Sequence, residues 1–281
     1  MIRPLVLIYC LMSSPALAAD SAVVLDDTGA ELLLEAPPTK IVSLAPHLTE
    51  LLFSLGVGDR IVATVRYSDF PDAAKQIPRL GDAFSLSLEA VINLEPDLIL
   101  AWTTGGNQRT IQRLKELGYP VYLNDAKSLE QIADNVERLG ILTGQAERGV
   151  MLAADFRQAL SMLRAQQGER PATRVFFQIA DTQLYTVNDR HLIGQALTAC
   201  GARNIFGDIE LMVPLVSLEA IVAADPEIIL VASPRPDFVS AWTADWERLG
   251  WQGRIRYVDA SLITRPGLRM LKGIKNLCNL L

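Results

Sequence analysis

The chain has 281 residues, half of them hydrophobic, with 32 acidic against 26 basic side chains and a net charge of −6. That acidity argues against nucleic acid and against an anionic membrane surface as partners. The length gives ample core for two modest domains or one large one.

Met1-Ile2-Arg3 carries one positive charge, an apolar run follows from Leu5 to Met12, and Pro15-Ala16-Leu17-Ala18-Ala19 supplies small residues. This is the pattern of a secretory signal over residues 1–19, cut at Ala18 or Ala19. The run is about eight residues against the roughly twenty that span a bilayer. A soluble, periplasmic mature protein is therefore expected. Cys10 follows Tyr9, where a lipoprotein signal needs a small residue, so no lipid anchor is expected. Loss of the signal leaves Cys200 and Cys278. An even count in an oxidising compartment reads most simply as one disulfide, with two buried thiols as the alternative.

Residues 20–39 read as a polar lead-in ending in Pro37-Pro38, with order beginning at the strand Lys40–Leu44. Pro46 opens a helix that stops at Gly56, proline in the first turn and glycine just past the end. Ile61–Val65 is a second strand, followed by the irregular loop Tyr67-Ser68-Asp69-Phe70-Pro71. Gly105-Gly106-Asn107 leads into a helix to Leu117, and Val121–Leu123 makes another strand. Ser128 and Gln131 form a capping box for a helix to Leu139, and a long helical pattern runs from Gln145 to Gln167. Further on come a strand, Arg174–Ile179, a helix, Leu192–Cys200, a strand, Arg254–Ala260, and a last helix beyond Pro266.

One unit occurs twice, 130 residues apart: Ser87–Leu100 and Ser217–Leu230 are identical at seven of fourteen positions. Five more differ only as Val for Ile, Leu for Ile or Glu for Asp. Each copy reads as a Ser-capped helix, an acidic residue with Pro, and a buried strand, which is an α/β pattern with parallel strands. The expected fold is α/β: two similar lobes with mainly parallel sheets, residues 20–142 and 169–281, joined by one backbone helix over 143–168. A ligand cleft between the lobes is the natural functional site.

At strand ends and the loops after them, where open parallel sheets bind ligands, sit Tyr67, Phe84, Trp102, Tyr185 and Trp242. Together they fit a cleft that grips a large flat or greasy ligand. With only two histidines and no ligand spacing among His, Cys and carboxylates, no metal site is expected. Ser43 is not in a Gly-x-Ser-x-Gly elbow and no other nucleophile stands out, so no enzyme and no cofactor are expected. Glu89 and Glu219 take the same place in the two repeats. Either they complement a helix dipole or they form a pseudo-twofold pair that docks on a partner's basic residues.

Ile41–Pro46 with Thr49-Glu50, the loop Tyr67–Pro71, Leu88-Glu89, Pro96–Trp102 with Gly106-Asn107, and the cysteine pair resemble the periplasmic substrate-binding proteins with a single helical backbone. That family delivers cobalamin, haem or iron chelates to ABC importers, and the likeness, strongest to its cobalamin receptors, covers nearly all the mature chain. The resemblance implies a monomeric receptor that presents a corrinoid, foremost cobalamin, to a permease and its ATPase. Haem or an iron siderophore is the alternative ligand, and an exported hydrolase is the remote alternative function. It implies that Tyr67, Trp102 and Tyr185 line the pocket, that Arg265 with Asp259 or Ser261 gives polar contacts, and that Glu89 and Glu219 pair with permease arginines. The haem receptors' iron-binding Tyr falls where this chain has Phe70, and two pocket tryptophans fall at Ala83 and Val213. Phe84 and Met212, next to them, are the candidate replacements.

Overall fold

The computed structural model describes residues 21–82, 85–166 and 171–281. The expected signal peptide and Phe84 lie outside the described residues. Order begins earlier than expected, because the supposed lead-in forms an antiparallel hairpin, β1 (Ala22–Leu25) and β2 (Glu31–Leu34). Ala22, Val24 and Leu34 face the core, while Val23, Leu25 and Leu33 are exposed. With apolar residues on both faces, the period-2 signal of a half-buried strand is absent from the sequence. Asp26 makes the turn, its Oδ1 accepting from the backbone N–H groups of Thr28 and Ala30 at 2.8 and 3.0 Å.

The first lobe is a parallel sheet of four strands, β3 (Ile41–Ser43), β4 (Ile61–Thr64), β5 (Leu98–Trp102) and β6 (Val121–Asn124), in the order β4-β3-β5-β6. Its helices are α1 (Pro46–Ser54), α2 (Leu88–Ile92) and α3 (Gln108–Glu116). Asn107 is the α3 N-cap, accepting from the Thr110 N–H at 3.1 Å, so the residues after the glycine pair serve a helix start.

α4 (Leu129–Leu142) and α5 (Ala146–Ala165) follow as a helical hairpin. Ser128 accepts from the Gln131 N–H, while Gln131 reaches back to the N–H of Lys127 at 2.6 Å, one residue earlier than a standard box. The two helices cross closely at glycines: a Cβ on Gly149 would meet the Gly140 Cα at 3.1 Å. The 20 residues of α5 give it a length of about 30 Å at 1.5 Å per residue. It packs on α4 on one side and on the helices of the second lobe on the other.

The second lobe contains β7 (Thr173–Gln178), α6 (Leu192–Ala199), β8 (Ala202–Asn204), α7 (Leu218–Ala224), β9 (Ile228–Ser233), α8 (Thr243–Arg248), β10 (Ile255–Asp259), α9 (Ala260–Ile263) and α10 (Met270–Cys278). The short β8, α8 and α9 are additions to the expected elements. Its parallel sheet runs β10-β9-β7-β8, so in each lobe the first strand is flanked by the second on one side and the third and fourth on the other. The repeat is thus a repeat of topology. Ser87 and Ser217 both accept from the N–H three residues on, at 3.2 Å. Glu95 and Asp225, each before a proline, both take the left-handed conformation, φ 48° and 43°. The acidic residue after that proline pins the first strand of its lobe: Asp97 accepts from the N–H of Thr39 and Lys40 at 2.8 and 2.9 Å, and Glu227 from that of Arg174 at 3.2 Å.

One apolar cluster runs through both lobes by way of α4 and α5, from Leu48 and Ile41 through Val136 and Phe156 to Phe177 and Ile274. Truncating one of its buried leucines, such as Leu160, would cost about 2–5 kcal/mol. Cys200 and Cys278 form a disulfide that ties the end of α10 to the end of α6. Among the described residues no helix is long and apolar enough to cross a membrane.

Candidate functional site

A cavity of about 360 Å³ opens between the lobes, beyond the carboxyl ends of both sheets. From the first lobe it takes Trp102 at the end of β5 and Asp125 and Lys127 after β6. From the second it takes Ile179 after β7, Arg190 and His191 ahead of α6, Met212 and Val213, and Ile263, Thr264, Pro266 and Met270.

Buried polar groups build the first lobe's side. The hydroxyls of Ser43, Thr49, Thr64 and Ser68 form an unbroken chain, each step 2.8 Å. It starts on β3, crosses α1 and β4, and ends by anchoring the loop that carries Tyr67. Tyr67 stands at φ 68° and is two-thirds exposed, a strained conformation for a bulky residue that the anchored loop enforces. Arg79 steadies the same loop by donating to the Ser68 carbonyl at 2.7 Å.

Behind Trp102 a second chain leads to the N-terminal hairpin. The indole meets the His47 ring edge-on, centroids 5.5 Å apart, and His47 Nε2 donates to Asn124 Oδ1 at 2.8 Å. Asn124 Nδ2 in turn donates to Asp27 Oδ2 at 3.1 Å, and the same oxygen accepts from the Asp125 N–H and from Asn135 Nδ2. Arg138 pairs with the other carboxylate oxygen. Burial pulls the His47 imidazole down to about 4, against the opposing pull of its bond to Asn124, so the ring is neutral at neutral pH. Asp27 thereby fixes the turn after β6 that supplies Asp125 and Lys127 to the cavity.

The second lobe's side is mainly apolar: Ile179, Met212, Val213, Ile263 and Met270. His191 caps α6, its Nδ1 accepting from the Ile193 N–H at 3.1 Å, and burial also holds it down, to about 4. Gln195 joins the lobes beside it, accepting from the Leu129 N–H at 3.1 Å and donating to the carbonyls of Lys127 and Arg190 at 2.7 and 3.0 Å.

Of the residues expected to bind ligand, the cavity brings together Trp102 and Met212, along with Val213, one of the two positions where the resemblance places a tryptophan. The other described ones are not part of its lining. Tyr67 stands on its exposed loop. Tyr185 is half-buried, its backbone paired with Leu215. Trp242 begins α8 and packs near Trp246 in the core of the second lobe, ring centroids 6.4 Å apart. Asp259 caps α9 through the Ser261 N–H. Arg265 holds Glu50 and Asp69 at 2.8 and 2.9 Å. Glu89 and Glu219 are exposed in the first turns of α2 and α7. The helix N-terminus and the Ser217 hydroxyl hold the Glu219 carboxyl below the usual range.

Sequence reasoning missed Arg190, His191, Ile179 and Met270 as lining, and Glu50 as a partner of Arg265. For His191 a weak signal existed, since it directly precedes an apolar helix; the rest read as ordinary surface or core. Among the described residues no group of three His, Cys, Asp or Glu could hold a metal ion.

The family described as periplasmic binding protein matches residues 41–276. The vitamin B12-binding protein of Vibrio cholerae is 33% identical over 248 residues, 87% of this chain and 90% of that protein. Among solved structures, periplasmic vitamin B12 binding protein BtuF of Vibrio cholerae superposes with a TM-score of 0.79 at 32% identity, over 87% of this chain and 96% of that one. A periplasmic haem-binding protein from Pseudomonas aeruginosa gives 0.73 at 26%, over 86% and 91%. The match across nearly the whole described chain, with two like-wound lobes around one cleft, places this protein in the periplasmic binding protein family.

Proposed function

We propose that the mature chain is a periplasmic receptor that captures a corrinoid, foremost cobalamin, and presents it to an ABC importer, binding it without covalent chemistry. The observation that carries this reading is the likeness to vitamin B12-binding proteins over 87% of the chain combined with an inter-lobe cavity walled by Trp102 and apolar side chains. A volume of about 360 Å³ is at the low end for small-molecule sites. A corrin is larger, so it stands partly out of the mouth, against the exposed Leu211, Met212 and Leu215 and the Tyr67 loop. Trp102 backed by His47 offers a rigid face for stacking, and the Val213 side supplies area without a second indole. Glu89 and Glu219, displayed in equivalent first turns of the two lobes, dock on cationic side chains of the permease.

A haem ligand is less well supported, because Phe70 offers no oxygen to iron and its ring lies under the Arg269 guanidinium at 3.7 Å. Isothermal titration of the mature protein with cyanocobalamin, cobinamide and hemin tests the reading. One-to-one corrinoid binding at micromolar or tighter, with hemin weak, is expected. Hemin binding tighter than either corrinoid would overturn it.

A further inference from the structure

The segment between α9 and α10 is a strap with two faces. Ile263, Thr264, Pro266 and Met270 line the cavity. Arg265 and Arg269 instead reach the first lobe, where their Nη1 atoms meet the same Glu50 Oε1 at 2.8 and 2.9 Å. Two groups on the first lobe's 67–71 loop complete the grip. Asp69 takes a second bond from Arg265 at 2.9 Å, and the Phe70 ring stacks against Arg269 at 3.7 Å. At the middle of the strap, Gly267 packs against α1 at ordinary contact distance, where a Cβ would stand 3.8 Å from His47 and Leu51. None of these charged residues lines the cavity.

Glu50 is 3% exposed, and its Oε2 is buried without a partner among the described residues. Burial pushes its carboxyl above the usual range, opposed by the two guanidinium groups. A buried carboxylate held this way adds little net stability, since desolvation offsets much of the attraction, but it holds its partners in one geometry. Its partners lie 215 and 219 residues away on the other lobe, so the geometry it fixes is the spacing of the lobes.

We propose that Glu50 is the positioning residue of the cleft: by holding Arg265 and Arg269 it seats the strap, sets how far apart the lobes stand, and so governs ligand retention without touching ligand. The residues at strap positions 265 and 269 act as its grips, and the neighbours at 263, 264, 266 and 270 are the cleft wall that moves with them. The inter-lobe spacing part of this proposal does not depend on which ligand is bound.

The test uses the full mature chain with its disulfide intact and spin labels on cysteines introduced at Gln112 on α3 and Glu247 on α8, both exposed. Glu50→Gln keeps the shape and removes the charge. The ligand-free inter-label distance distribution should broaden and lengthen. Dissociation of cyanocobalamin and of cobinamide should speed by one common factor, about tenfold, in the usual range of coupling between distant sites. A Glu50 that merely stabilised α1 would lower the melting temperature and leave the distances alone. An unchanged distance distribution overturns the proposal, as does a changed one with unaltered dissociation. If E50Q does not fold, Arg269→Lys, which keeps a charge but loses the stacked fork, is read the same way. If neither corrinoid binds the unaltered protein, the ligand reading fails, while the distance measurement still decides the role of Glu50.

Discussion

The first lobe meets the cleft with polar groups wired into its interior, whereas the second meets it mainly with apolar side chains, although both wind their strands in one order. Four hydroxyls and the Asp27–Asn124–His47 chain position Tyr67 and Trp102. Ile179, Met212 and Met270 are held across from them by packing and by a helix stapled at Cys200–Cys278. Directional bonds fix the orientation of an aromatic face, while non-directional packing adapts to the outline of whatever lies on it. A duplicated topology has thus been divided between orientation and fit.

The largest expected effect tests what the lobes still share. Charge reversal at Glu89 and Glu219 together should abolish corrinoid uptake in cells and leave the titrated affinity intact, with each single reversal giving a partial loss. Uptake unchanged in the double variant would remove the docking role. Next, replacing Cys200 and Cys278 by serine opens a link of 78 residues, and loop entropy puts the loss at about 4.5 kcal/mol. Hydrogen exchange should quicken in α6 and α10 while β3 and β5 keep their protection. A uniform change across both sheets would mean that the lobes share one stability.

The smallest effect belongs to the first lobe. His47 has its folded pKa depressed to about 4 from 6.5, so its stabilising contribution is complete above 6.5 and is lost as pH falls from there toward 4. The full shift corresponds to about 3 kcal/mol. His191, lowered in the same direction, adds to the slope in the same window. Denaturant midpoints at pH 7.5 and 4.5 should draw together in His47→Gln relative to the unaltered protein. An identical acid loss in both would place the sensitivity elsewhere.

The repeat was legible because its signals are local: a serine cap, an acidic residue in the left-handed conformation and a proline all act within a few residues. Trp102 was legible as the aromatic end of a buried strand. The hairpin was hidden by apolar residues on both its faces, and β8 by its length of three residues. The resemblance pointed to Arg265 as a ligand contact, but its pairing with Glu50 was not legible, since no local pattern joins residues 215 positions apart. Trp242 shows the other side of the same reading. A loop aromatic can cover a core, and only the neighbouring Trp246 and Trp251 reveal that it does.

Asp27 has a consequence for how the chain comes to be made. Synthesis runs from the N-terminus, so β1 and β2 are among the first described residues to be completed, yet Asp27 finds Asn135 and Arg138 only after 108 and 111 further positions have followed. Closing so long a loop is slow relative to a local hairpin. The wall behind Trp102 is therefore begun early and finished late, and the newborn first lobe cannot hold its aromatic face in place until α4 has joined it.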